Sequence, residues 1–194
     1  MELVRIGEHV TLEPLDSGIA LLTLCHEASH NALGEPMVRA LDAALTRAEA
    51  WPALKVVVLL GLPDVFSSGA DPSLLGRLLE GSLAPAEILL PRRLFAVPVP
   101  IVAAMEGHAI GGGLALGLCA DVIVAARESR YGVTFTDLGF TPGMGTTRLC
   151  EHAMLPALAH ELLFTGEARR GAELDGRAFN AIVPRSEVRP RAIS

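Results

Sequence analysis

Long hydrophobic runs are missing from these 194 residues, although 51% of them are hydrophobic and the mean hydropathy is +0.42. No apolar stretch reaches the roughly 18–20 residues that a membrane span needs. The opening MELVRIGEHV has no basic start followed by an apolar core, so no signal peptide is expected. A basic stripe is missing as well: the net charge is −6, which argues against a nucleic-acid partner. Cysteine is scarce. Cys25, Cys119 and Cys150 are far apart, odd in number and without a CxxC pair. They read as small buried hydrophobes in a reducing cytoplasm rather than as a disulfide framework or a metal site. Internal repeats and low-complexity linkers are absent. What is left is the composition of one well-buried cytoplasmic domain spanning 1–194, with no membrane partner and no resident cofactor.

The pattern of elements is α/β. His9–Pro14 and Gly18–Cys25 alternate as two strands around an Asp16-Ser17-Gly18 turn. Met37, Leu41, Ala44, Leu45 and Ala48 recur at helical spacing and predict a helix from about Glu35 to Ala50. Lys55–Gly61 is a continuous β-branched and aliphatic run, the mark of a buried parallel strand. Phe66–Pro72 reads as a loop with a helix start at Asp71 or Pro72. Ser73–Glu80 and Pro85–Phe95 read as helices with a break between them. Ile101–Met105 and Val122–Ala126 read as strands, with a turn at Gly107-His108 and a helical run at Leu114–Cys119. Further on, the pattern predicts a helix over Leu149–Phe164, a short turn or helix over Arg170–Arg177 and a short strand at Ala181–Val183.

The chemistry concentrates in two glycine-containing loops, FSSGAD (Phe66–Asp71) and GHAIGGG (Gly107–Gly113), each placed after an apolar strand. Glycine has no Cβ, so Gly111, Gly112 and Gly113 let another group approach the backbone closely. At a helix start they also offer unpaired N–H groups. Each loop alone is an ordinary tight turn. Side by side, they would let the N–H of Ala70 and the N–H of Gly112 point at one oxygen. Two such donors form an oxyanion hole, which stabilises charge that develops during a reaction.

FSSGAD, PVPIVAAMEGHAIGGGLALGLCADVIVAA and YGVTFTDLGFTPGMGTTRL together resemble the enoyl-CoA hydratase/isomerase (crotonase) superfamily. The resemblance runs from the early strand pair to AELDGRAFNAIVP. It implies a spiral of ββα units, a homotrimer or dimer of trimers, and acyl-thioester substrates carried on coenzyme A or on the phosphopantetheine of an acyl carrier protein. It implies an enolate held by Ala70 and Gly112, with Ser68, Gly69, Gly111, Phe135, Leu78 and Gly143 around the substrate. Hydratases of the family carry two glutamates, at positions that are Ala115 and Phe135 here. Adding water needs a base and an acid, and neither residue can serve. MEGHAIGGG and GFTPGMG are instead similar to the decarboxylases of polyketide β-branching, which act on a 3-methylglutaconyl thioester to give a 3-methylcrotonyl product. Loss of carbon dioxide needs an electron sink and one proton donor, but no activated water.

Two departures stand out. The lysine that this subgroup uses falls on Leu78, leaving neighbouring Arg77 as a candidate, though its pKa makes arginine a poor proton donor. The subgroup's histidine lies in a C-terminal helical tail that is short or missing here. His108, in the glycine loop, is the other candidate proton donor. Glu106 and Asp137 are the acids to test for a rival double-bond isomerase or atypical hydratase. Arg92 and Arg93 are candidates to face an acidic carrier. A second rival is a non-catalytic subunit that binds acyl carriers. Asp121 is expected to tie a backbone turn, and His152 and His160 to be surface or packing residues of a late amphipathic helix.

Overall fold

Four apolar runs form the spine of the molecule: β3 (Ile19–Leu24), β4 (Val56–Leu60), β6 (Ile101–Met105) and β8 (Val122–Ala126). They lie side by side and parallel, which places most of their side chains in the interior and explains why they lack strict alternation. The structure, a computed structural model, describes residues 2–82 and 90–194. Among these, β1 (Val4–Ile6) and β2 (Val10–Leu15) extend the sheet antiparallel on one side. β11 (Ala181–Val183) joins β8 in parallel on the other, giving the order β1-β2-β3-β4-β6-β8-β11.

A second sheet is built from very short strands: β5 (Val65–Ser67), β7 (His108–Ile110), β9 (Arg130–Gly132) and β10 (Ala168–Arg170), in the order β10-β9-β7-β5. Strand pairs and helices alternate along the chain. β4 and β5 precede α2 (Pro72–Leu79) and β6 and β7 precede α4 (Gly112–Leu118). β8 and β9 precede α5 (Thr146–Ala153), after a single 3-10 turn. This is the ββα spiral that the resemblance implies. It is a repeat of architecture that leaves no repeat in the sequence.

α1 (Glu35–Glu49) buries Met37, Ala40, Leu41, Ala44, Leu45 and Ala48, the stripe that predicts it. Each fully buried Met or Leu contributes about 1.5–3 kcal/mol. α1 packs beside β2 and β3 and supplies one wall of the main core. α2 is capped by Asp71, whose Oδ1 accepts from Leu74 N at 2.7 Å, with Pro72 in the first turn.

Several elements differ from what the sequence predicts, and one predicted helix lies partly outside the described residues. The helix over Leu149–Phe164 is two helices, α5 and α6 (Pro156–Thr165). Pro156 starts the second, and the residue before it, Leu155, is non-helical at φ −58°, ψ 136°, as a pre-proline residue must be. The Phe66–Pro72 loop begins inside β5, and the Gly107-His108 turn leads directly into β7. Both strands have three residues, too short to show a period. Leu90–Phe95 is helical (α3), while the rest of the predicted Pro85–Phe95 helix lies outside the described residues. Beyond α7 (Gly171–Leu174), residues Arg185–Ile193 form α8, where no element was expected. Val188 of α8 packs against Leu21, Val58, Leu60, Ala104, Val124 and Ala126 on the far face of the large sheet.

Tyr131 braces the two sheets. It is fully buried on β9, its hydroxyl donates to Met105 O and accepts from Ala126 N, both at 2.7 Å, and its ring meets Phe179 edge-on. Asp121, expected to tie a backbone turn, instead links the residue before β8 to the start of β6: its Oδ2 accepts from Ile101 N at 2.8 Å and its own N donates to Ile101 O at 2.9 Å. Among the described residues no helix is long and apolar enough to cross a membrane.

Candidate oxyanion site

The first donor is set by a seam between residues 29–33 and 66–70. Leu33 N donates to Gly69 O at 2.6 Å, Ser68 N to His30 O at 3.0 Å, and Ser67 Oγ to Asn31 O at 2.8 Å. Asn31 is the bolt of this seam. Its side chain is fully buried: Nδ2 donates to Leu24 O at 3.0 Å and Phe66 O at 3.1 Å, and Oδ1 accepts from His26 N at 2.8 Å. Its φ of +56° is one that asparagine tolerates better than most residues. In the sequence Asn31 looks like any other polar loop residue. Asparagine's tolerance of the left-handed region was the available signal.

The second donor is set by β7, which pairs with β5 on one side and β9 on the other. Gly111 N donates to Gly132 O at 2.8 Å, and Gly112 then opens α4. Close approach explains the glycines. A Cβ on Gly113 would lie 2.3 Å from Ser67 O, and one on Gly69 would lie 2.7 Å from Ile110 O. Only glycine lets the α4 start and the β5 end interlock. A Cβ built on Gly112 would lie 3.6 Å from Ala70 N, and one on Gly69 would lie 3.3 Å from Gly112 N. The two amides are therefore neighbours. Among the described residues neither the Ala70 N–H nor the Gly112 N–H has a hydrogen-bond acceptor.

Both donors open into a cavity of about 270 Å³. Ser68, Gly69, Gly111, Phe135, Leu78 and Gly143, named from the sequence as substrate neighbours, all line it. Apolar side chains dominate the walls: Leu33 and Val38, Leu74 and Leu75 of α2, Leu90, and the Leu138, Phe140 and Met144 side of the TDLGFTPGMG loop. Thr134 and Thr141 add hydroxyls, and a Cβ on Gly111 would lie 3.4 Å from Thr134 Oγ1. The sequence reading missed these two threonines, and also Leu33 and Met144. Among the described residues, no side chain that titrates near neutrality lines the cavity. Ala115, one of the two positions where hydratases carry glutamate, is fully buried in α4, and the other, Phe135, forms cavity wall.

The two candidate proton donors are not brought to the cavity. His108 lies in β7 but outside the lining. Its Nδ1 accepts from Arg130 N at 2.8 Å, and burial, then Arg185 and Arg130, hold its pKa below 6.5. Arg77 is exposed on α2, where Leu78 of the next position takes the cavity face instead. Neither acid named for isomerisation lines the cavity. Asp137 is exposed, and Glu106 lies beside Arg185 and Arg189, its pKa raised by burial. Arg93 is not available to an acidic carrier, because it binds Asp42 at 2.6 Å and Glu49 at 2.8 Å across to α1, while Arg92 is exposed. His152 and His160 are exposed, as expected. Burial pushes the thiols of Cys119 and Cys150 up to about 12, as suits small packing residues.

Known proteins resemble this chain over most of its length. The profile of the enoyl-CoA hydratase/isomerase family matches residues 15–194. The bacillaene synthase decarboxylase PksI of Bacillus subtilis is 33% identical over 185 residues, covering 95% of this chain and 74% of that protein. A probable enoyl-CoA hydratase, EchA14, of Mycobacterium tuberculosis is 35% identical over 155 residues, covering 78% of this chain but only 60% of that relative. Among solved structures, one from a dehydratase/decarboxylase couple of polyketide β-branching superposes with a TM-score of 0.92 at 32% identity, over 98% of this chain and 76% of the other. The ECH2 decarboxylase domain of CurF from Lyngbya majuscula gives 0.89 at 35% identity, over 96% and 76%.

Proposed function

The chain belongs to the enoyl-CoA hydratase/isomerase family, and on that footing we propose that it is a lyase of polyketide β-branching, decarboxylating a 3-methylglutaconyl thioester to a 3-methylcrotonyl-type product. The observation that carries this reading is the pairing of two unpartnered backbone donors with an apolar cavity lined, among the described residues, by no carboxylate. The similarity to decarboxylases of β-branching supports the choice of reaction within the family.

The chemistry follows from where charge moves. The thioester oxygen accepts from the Ala70 and Gly112 N–H groups. The bond between the carboxylate carbon and its neighbour breaks, carbon dioxide leaves neutral, and the electron pair spreads through the double bond to that oxygen. Charge thus leaves an apolar region that solvates it poorly and arrives at donors already aimed at it. A dienolate carbon then takes a proton. In the described lining the hydroxyls of Thr134 and Thr141 are the side chains available to that step, directly or through water, while Ser68 Oγ donates to Ser29 O at 3.2 Å. Ala115 and Phe135 fit the same reading, since a carboxylate beside the leaving group would direct a water to the alkene.

The substrate is carried by an acyl carrier protein or by coenzyme A, and the reading includes a homotrimer or dimer of trimers, as in the family it resembles. Incubation with a 3-methylglutaconyl carrier protein, followed by mass spectrometry of the carrier, tests it. Loss of one carbon dioxide is the expected result. Gain of one water overturns the reading in favour of a hydratase. Binding with neither change overturns it in favour of an isomerase if the double bond has moved by NMR, and of a non-catalytic carrier-binding subunit if it has not.

A further inference from the structure

The loop Gly143–Thr146 carries a feature that catalysis by the two amides does not by itself require. Met144 has φ +56° and Gly145 has φ +71°, and Gly143 O accepts from Thr146 N at 3.0 Å. Two successive positive φ values inside an i to i+3 hydrogen bond are the pattern of a type I′ turn. Such a turn favours asparagine or glycine at its first central position, so a methionine there is strained. Thr146 is fully buried, and its Oγ1 also bonds Gly143 O, which holds the turn closed. Neighbouring space does not force the shape: a Cβ on Gly143 or Gly145 would meet nothing within 4 Å.

The strained residue points at the reacting end of the cavity. A Cβ built on Gly112 would lie 3.5 Å from Met144 Sδ and 3.5 Å from Leu33 Cδ1. Both side chains thus stand close to the Gly112 donor and to Ala70 N, where the acyl group of a bound thioester would begin. Leu33 is buried in the main core, whereas Met144 is half-buried on a surface loop.

We propose that Met144 is a specificity-determining residue: its thioether, beside Leu33, is the wall that excludes substituents on the α-carbon of the bound acyl group. This rests on the thioester reading above, but not on decarboxylation. Shortening Met144 therefore admits an α-branch that the wild type excludes. A pocket wall of this size discriminates a methyl group by about ten-fold or more.

The test uses saturated ligands, glutaryl-pantetheine and the two enantiomers of 2-methylglutaryl-pantetheine, which lack the double bond needed to carry charge to the thioester. Their dissociation constants are measured by calorimetry for the wild type, Met144→Ala and Met144→Leu. The wild type is expected to prefer the unbranched ligand by about ten-fold or more over both enantiomers. Met144→Ala should bring at least one enantiomer close to the unbranched ligand, while Met144→Leu, of similar bulk, should keep the wild-type pattern. That result supports the proposal even if no carbon dioxide is released, in which case the decarboxylase reading alone falls. If the wild type binds all three alike, or Met144→Ala relieves neither enantiomer, the proposal is overturned and the decarboxylase reading stands. If no thioester binds the wild type, both fall.

Discussion

At the scale of single residues, the site depends on groups that never touch a substrate. Asn31 makes the clearest case. It satisfies two buried carbonyls and one amide between β3 and β5 while holding a left-handed backbone. Asn31→Ala would strand these partners, and each unsatisfied buried group costs about 1–3 kcal/mol. We therefore expect a loss on the order of 3 kcal/mol in urea unfolding. Activity should fall further than stability explains, because the Ala70 donor rests on this seam. A loss under about 1 kcal/mol would mean that water replaces the side chain. Ala70 and Gly112 were legible in the sequence because glycines beside a strand end announce close approach. Asn31 and Thr146 were not, because one buried polar side chain looks like any other loop residue until its partners are known.

At the scale of elements, the site is the junction of β5 and α4. A Cβ on Gly113 would press on Ser67 backbone, which cannot swing aside, whereas one on Gly76 in α2 would meet nothing within 4 Å. The two alanine substitutions should therefore have opposite signs. Gly113→Ala should destabilise by about 1–3 kcal/mol through overpacking. It should also separate the two donors, with a loss of about a hundred-fold in turnover for a displacement near 1 Å. Gly76→Ala should stabilise by about 0.5–1 kcal/mol, since alanine is the better helix former. Thermal melts and turnover of both variants check this. Long elements were readable: β6, β8 and β11 lie where the apolar runs predict, and α1 ends within a residue of its expected limits. The three-residue strands of the second sheet were not, since they are too short for a period and are specified by tertiary pairing. Pro156 was a readable break that the helical pattern around it obscured.

At the scale of the whole molecule, the spiral separates the cavity from a charged edge where β7 and β9 meet α8. There His108 lies near Arg185, Arg130 and Asp64, with its pKa held below 6.5 by burial first and by the two arginines next. The native state thus resists a proton that the unfolded chain accepts. Stability is retained above 6.5 and falls as the pH drops from 6.5 toward the lowered native value. Glu106, raised above 4.5, has the opposite sign in a lower window, losing its contribution as pH rises through its native value. His108→Asn keeps an acceptor for Arg130 N but does not titrate. Its melting temperature should fall less than the wild type's between pH 7 and pH 5, and an equal fall would assign the effect to other groups.

The central claim is that two backbone amides, with no carboxylate beside them among the described residues, carry the decarboxylation. Its most direct measurement is the release of labelled carbon dioxide from a carboxyl-labelled 3-methylglutaconyl carrier protein by the wild type and by Gly112→Pro. Proline fits the first position of a helix and removes the amide donor, its ring Cδ standing where the N–H hydrogen was. The account predicts release by the wild type and a loss of at least about 10²-fold in the variant. No release by the wild type, or equal release by the two, would contradict it.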